Sequence, residues 1–529
     1  MVCNPEWNME NLEAMSERLR RAVSLSIISG YQLDKHAFDF LSTISQTEDP
    51  VKLVEEAIRR VKSTPQKTLF IQRNLLEEII KEASPERGGE ELIQPESSSS
   101  ILGAKREKHH SASDIDAEIE IIQDPTEEIC ETGSVEEYLE YFQDRFRRTR
   151  KLLRKRIDAK DAISISEALK SSTNSKVKVI GMITEKREHE QRIFLTIEDL
   201  ETNTTVLVSP RINKEVVKKA RMLLLDQVVC IDAIKGKGDL LIAKSILWPD
   251  IPQRRPNSAS VQVCAALISD LHIGSKTFMR KEFSRFLLWL NGKLGDKNSK
   301  DTANNVKYLV IAGDLVDGVG VYPGQLKELE IADIYEQYSL ASKFFEQIPD
   351  SIELILIPGN HDASRKALPQ PALSKAYAEP LCEARRVYLL GNPSTIKLHN
   401  VELLLYHGRS LDDVVASTPN ISFQMPDKAM KLLLQSRHLA PIYGERTPIA
   451  PENKDYLIID RPPDIFHSGH VHVTKIDTYR GTLIINSGAW QKRTDFQKKM
   501  GLIPNPGIIP IVNLQTLQTA QLDFTGHWN

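Results

Sequence analysis

VQVCAALISDLHIG, residues 261–274, is the stretch that decides the fold. Val261 to Ile268 is almost continuously apolar, the pattern of a strand buried on both faces, and it runs straight into Asp270 and His272. Four more segments repeat the arrangement. Tyr308 to Ala312 leads into Gly313-Asp314, and Ile352 to Ile357 into Gly359-Asn360-His361-Asp362. Val401 to Leu405 leads into Tyr406-His407-Gly408, and the run around Ile465 and Phe466 into Ser468-Gly469-His470-Val471-His472. Helical patterns separate these runs, which reads as layered α/β. Ligands in such folds gather outside the carboxyl ends of strands, so five polar tips are expected in one crevice.

Asp270, His272, Asp314, Asn360, His407, His470 and His472 offer metal donors, and His361 is a histidine to spare. Two residues apart on an extended chain, Asp270 and His272 project to one side and can grip one ion; His470 and His472 repeat the spacing. Imidazole nitrogen with carboxylate and amide oxygen suits Mn²⁺, Fe or Zn²⁺ better than Ca²⁺. The Asp314 carboxylate can bridge two ions about 3.5–4 Å apart, the spacing that clamps one phosphoryl group. Two dications over two obligatory carboxylates, Asp270 and Asp314, leave about two positive charges for an anionic phosphoester. An isolated DxH or GD says little; five such motifs in this order, each after a strand, carry the reading.

Upstream, residues 1–82 show helical spacing (Leu12, Met15, Leu19, Val23; Leu53, Val54, Ala57, Ile58, Val61) and read as a helical domain. Residues 83–133 turn to Glu, Ser, Gly and Lys and read as a disordered linker, its His109-His110 pair a solvated stretch outside the site. Residues 134–170 open with Ser134 and Glu137, a capping-box pattern, and continue as a basic amphipathic helix. Its cations, Arg145, Arg147, Arg148, Arg150, Lys151, Arg154, Lys155 and Arg156, fit either a solvated face or a phosphate-backbone contact. Residues 171–250 switch to period two, five short strands with a helical insert at Lys214 to Leu223, which fits an OB-like β-barrel. Phe194 is almost the only aromatic there, so stacking on single strands has little support.

With 529 residues the chain has room for three or four domains at roughly 150 residues each. A net charge of −3 gives no global attraction for nucleic acid, so such contact rests on local patches. Five scattered cysteines without a CxxC pair argue against disulfides or a cysteine zinc site. The absence of a long apolar run or a basic-then-apolar leader predicts a soluble, cytoplasmic protein with no membrane contact.

The five motifs resemble those of the calcineurin-like metallophosphoesterase superfamily, over residues 261–529. The resemblance implies a two-sheet α/β sandwich. One metal would lie with Asp270, His272, Asp314 and His472, the second with Asp314, Asn360, His407 and His470. His361 would be the catalytic residue that contacts phosphate and aids the leaving oxygen. Two divalent ions are implied, Mn²⁺ first, with Mg²⁺, Fe or Zn²⁺ as alternatives. Across the whole chain, the domain order and the strings ISDLHIGSKTF, HGRSLDD, SGHVH and NSGAWQKRTDFQ resemble the small-subunit family of archaeal family D DNA polymerases. That implies a proofreading 3′–5′ exonuclease in DNA replication, partnered by a large catalytic subunit and DNA 3′ ends, with any sliding-clamp contact indirect. The alternative is a catalytically weak scaffold resembling the accessory subunits of eukaryotic replicative polymerases, which typically have lost these ligands. Related repair nucleases carry a histidine where Asp317 stands here. Three roles stay open for it: orienting His361, binding substrate through water, or a structural one.

Overall fold

The computed structural model describes residues 112–129, 133–499 and 501–526, with separate positions among the first 79. It divides into two compact units, residues 1–106 and 107–529. In the first, helix α1 (Pro50–Ser63) buries Leu53, Val54, Ala57 and Ile58 in a cluster with Ala22, Leu41, Ile71 and Leu76. A two-residue parallel pairing joins Gln32–Leu33 to Phe70–Ile71. The remaining helical spacing read at the N-terminus, and the stretch 83–111 with its paired histidines, lie outside the described residues.

The second unit begins with strand β1 (Ile119–Gln123) and helix α2 (Val135–Arg154). A small closed barrel follows, of β2 (Lys176–His189), β3 (Arg192–Glu198), β4 (Asn203–Val208), β5 (Val228–Lys235) and β6 (Leu240–Leu247), in the order β2-β3-β4-β6-β5. Val179, Leu195, Ile197, Val206, Ile231 and Leu241 alternate inward along these strands and fill its interior. Beyond it come β7 (Cys264–Ile268), β8 (Val306–Ala312), β9 (Glu353–Ile357), β10 (Val387–Leu389), β11 (Ser394–Leu398), β12 (Val401–Leu405), β13 (Ile465–Ser468), β14 (Lys475–Tyr479), β15 (Thr482–Asn486), β16 (Ile508–Asn513) and β17 (Thr519–Asp523).

These strands make two six-stranded sheets, β10-β9-β8-β7-β16-β17 and β14-β15-β13-β12-β11-β1. They pack face to face: Ala265, Leu267, Val310 and Ile355 of the first meet Ile396, Leu403, Leu405 and Ile485 of the second. The intervening residues turn outward onto helices, Ala266, Leu309 and Leu354 towards Phe286, Tyr338 and Phe345, and Leu404, Phe466 and Ile484 towards Met430 and Leu433. Burial on both faces is why these strands read as unbroken apolar runs.

The linker reading of 83–133 fails at its end. Ile119–Gln123 is the edge strand β1, antiparallel to β11, with Glu118 N–H bonded to the Tyr308 hydroxyl at 2.9 Å and Asp124 accepting Gly391 N–H at 3.0 Å. The segment is too polar to fold alone and takes its partners from strands far along the chain. Helix α2 carries the expected Ser134–Glu137 capping box, but its cations divide. Arg145 is 1% exposed, its Nε 2.8 Å from Asp455 Oδ2, with further donation to the Pro441 carbonyl and the Tyr141 hydroxyl. Arg148 pairs with Asp144 and Asp460. Neither is a phosphate contact. Arg147, Arg150, Lys151, Arg154 and Lys155 border an open surface hollow.

Candidate metal centre

The five motif loops leave the carboxyl ends of β7, β8 and β9 in one sheet and β12 and β13 in the other, so the site straddles the seam between sheets. Main-chain bonds lock the first two loops together: Asp270 N–H to Gly313 O at 2.9 Å, His272 N–H to Asp314 O at 3.1 Å, and Asp317 N–H to Ile273 O at 2.9 Å. Extended backbone does not align the paired donors, contrary to expectation. Asp270, His272, Asp314, His470 and His472 are all left-handed, with φ of 55°, 51°, 53°, 72° and 58°. Such conformations cost on the order of 1–3 kcal/mol each and cluster where a site demands them. Close packing explains two glycines: a Cβ on Gly313 would sit 2.6 Å from His407 Nδ1, and one on Gly469 would sit 2.5 Å from Asp270 Oδ2.

Donor atoms of Asp270, His272 and His472, and of Asp270, Asp314 and His407, lie within 4.8 Å of one another. His272 Nε2 is 3.1 Å from His472 Nε2 and 3.8 Å from Asp314 Oδ2, while His472 Nε2 is 3.5 Å from Asp270 Oδ1. His407 Nε2 lies 3.3 Å from Asp314 Oδ2 and 3.0 Å from Asn360 Oδ1. His470 stands alongside, its ring centroid 5.2 Å from that of His407, but its Nε2 faces Asp412 Oδ1 at 3.2 Å.

This cluster asks for cations. His407 gives its Nδ1–H to the Ala312 carbonyl at 2.8 Å, so the neutral ring aims a lone pair at two oxygens, from Asp314 and Asn360. Asp270 Oδ1 is buried without a hydrogen-bond partner. Only a proton or a metal ion reconciles such converging lone pairs. Burial disfavours charge on His272, but Asp317, Asp314 and Asp270 outweigh it and lift the imidazole to about 9. His407 also rises to about 9, against burial, through Asp314 and Asp270. Burial would raise Asp270, yet His472 and His407 pull it down to about 2; Asp314 falls well below the usual carboxylate range for similar reasons. The donors therefore fit divalent ions. One tautomer needs adjustment: Gln497, its oxygen taken by Thr494 N–H at 3.0 Å, points its amide nitrogen at His472 Nδ1, and ligation through Nε2 requires that amide turned over.

Asp317 is 1% exposed and out of reach of substrate. Its carboxylate accepts from His272 Nδ1 at 3.0 Å, Gln325 at 3.1 Å and Gln491 at 3.2 Å, and its backbone carbonyl accepts from His361 Nδ1 at 2.8 Å. It thus orients a donor histidine with the side chain and His361 with the main chain. Burial pushes His361 down to about 4, although 16% of its side chain still meets solvent. Sequence reasoning missed Asp412, within the quoted HGRSLDD string, and Asp362. The latter is fully buried and accepts Gly359 N–H at 2.8 Å and Leu315 and Val316 N–H at 3.3 Å, tying two motif loops together.

Residues 265–475 match the family of the B-type subunit of DNA polymerase alpha/epsilon, which sets the class. The chain is 39% identical over 422 residues to the DNA polymerase II small subunit of Methanocaldococcus jannaschii, covering 79% of this chain and 70% of that one. It is 37% identical over 485 residues to that of Archaeoglobus fulgidus, covering 92% and 94%, and 39% identical over 395 residues to that of Pyrococcus furiosus, covering 74% and 64%. The chain belongs to the small-subunit family of the archaeal family D DNA polymerase.

Proposed function

We propose that this chain serves DNA replication as the small subunit beside a large polymerase subunit, and acts there as a metal-dependent 3′–5′ exonuclease on primer ends. The observation that carries the reading is the complete donor set, with five of its seven members held on left-handed backbone. A scaffold has no use for buried histidines and carboxylates kept in strained, cation-demanding contact. That weighs against the alternative of a catalytically weak subunit that mainly holds the large one.

Bound divalent ions would supply positive charge for the phosphodiester and acidify an attacking water. Asp270, His272, Asp314 and His472 would hold one, and Asp314, Asn360, His407 and His470 the other, once His470 turns from Asp412. His361, its Nδ1–H fixed by the Asp317 carbonyl, keeps Nε2 for the substrate. Burial leaves it neutral in the free site, so it takes up its proton opposite an anionic phosphate and gives it to the departing 3′ oxygen.

With Mn²⁺, the protein is expected to convert a 5′-labelled oligonucleotide into a ladder shortened from the 3′ end. His361→Ala is expected to abolish the ladder while bound metal stays at the wild-type level. No cleavage with or without the large subunit, alongside tight heterodimer formation, would establish the scaffold reading instead.

A further inference from the structure

A cleft of about 480 Å³ opens beside His361, within the size range of small-ligand sites. Val319, Val321, Ile334 and Tyr377 form an apolar wall; Ser364 and Lys366 border it on the polar side. The Lys366 ammonium donates to the Asn360 carbonyl at 2.6 Å and the Asp362 carbonyl at 3.3 Å, which keeps a cation next to the donor cluster. Tyr377 stacks on Tyr335, centroids 5.1 Å apart with 23° between planes, and Tyr335 is 54% exposed. Val319 is 40% exposed. Hydrolysis of a phosphodiester requires none of these side chains, and an open apolar and aromatic wall beside a cation suits a nucleoside next to its phosphate.

Resting on the exonuclease reading, we infer that this cleft seats the penultimate nucleoside, the one whose 3′ oxygen departs. In the reaction a water oxygen bonds to phosphorus and the P–O3′ bond breaks. The proton goes to the 3′ oxygen of the shortened strand, and the terminal nucleotide leaves with the phosphate. His361 sits on the side of the departing oxygen and also lines the cleft. The base and sugar attached to that oxygen therefore enter it.

The test uses the full chain with Mn²⁺ and single strands lacking a base at either the terminal or the penultimate position. Bis(p-nitrophenyl) phosphate serves as a phosphodiester without a nucleoside. Loss of the penultimate base is expected to lower kcat/KM roughly tenfold, mainly through KM, and loss of the terminal base by less than about twofold. In Val319→Asp and Tyr377→Ala, checked for wild-type metal content, the preference for an intact penultimate base is expected to collapse towards one. Equal cutting of intact and penultimate-abasic strands, or sensitivity confined to the terminal base, overturns the assignment. If the wild type hydrolyses bis(p-nitrophenyl) phosphate and shortens every strand alike, only the cleft is refuted. If it cuts none of them, the exonuclease reading falls, and the cleft with it.

Discussion

Asp317→Ala would strand three buried donors at once: His272 Nδ1–H, and the amides of Gln325 and Gln491. Hydrogen bonds to a charged acceptor contribute about 1.5–3 kcal/mol each, but the carboxylate's own burial opposes them and water can fill the space left. A net loss of about 3 kcal/mol in folding stability is expected, read as a lower melting temperature without metal. The second effect is separate. Without its acceptor the His272 ring is free to turn, and loss of such a partner weakens metal binding about 10–100-fold, or about 1.4–2.7 kcal/mol. Calorimetric titration with Mn²⁺ reads this directly. Arg145→Ala, remote from the donors, is the control for mere destabilisation. A folded Asp317→Ala protein with wild-type Mn²⁺ affinity would refute the reasoning, as would an equal loss of affinity in Arg145→Ala.

Arg145→Ala should itself cost about 3–5 kcal/mol, because Asp455 and the Tyr141 hydroxyl stay buried after their cation is gone; a melting temperature within a degree or two of wild type would contradict this. His272 and His407, both lifted to about 9 from an ordinary 6.5, stabilise the metal-free fold fully below about pH 6.5 and progressively less as pH rises to about 9. Metal must displace those protons, so Mn²⁺ uptake at pH 7.5 should release about two of them, and calorimetry in buffers of different ionisation enthalpy would show none if the rings were already neutral. Removing residues 1–111 should leave the second unit folded, whereas removal through 129 strips β1 from β11 and should lower both solubility and melting temperature. Equal behaviour of the two truncations would mean that β1 contributes nothing.

The donor residues were legible because each closes an apolar run, and the runs are strands buried between helices and a second sheet. Their left-handed backbone was not legible, since Asp and His at these positions carry no mark that separates a turn from an extended tip. Strand β1 was hidden by its polarity: Glu118, Glu120 and Asp124 look like linker until β11 and Tyr308 are brought beside them. Arg145 looked solvated because its partner, Asp455, lies 310 residues away. Asp412 stood in a string already singled out, yet only the fold shows that it faces His470. The barrel was readable from its period-two strands, which close upon themselves and need no distant partner to be recognised.

The five left-handed donors also bear on how such a protein can change over time. Glycine at any of them would relieve backbone strain of about 1 kcal/mol or more while removing a ligand. At these positions, selection for stability and selection for chemistry pull in opposite directions. A lineage in which another protein took over the cutting would meet little resistance from the fold as the site eroded. An intact set of five is therefore what continuing use of the site would leave behind.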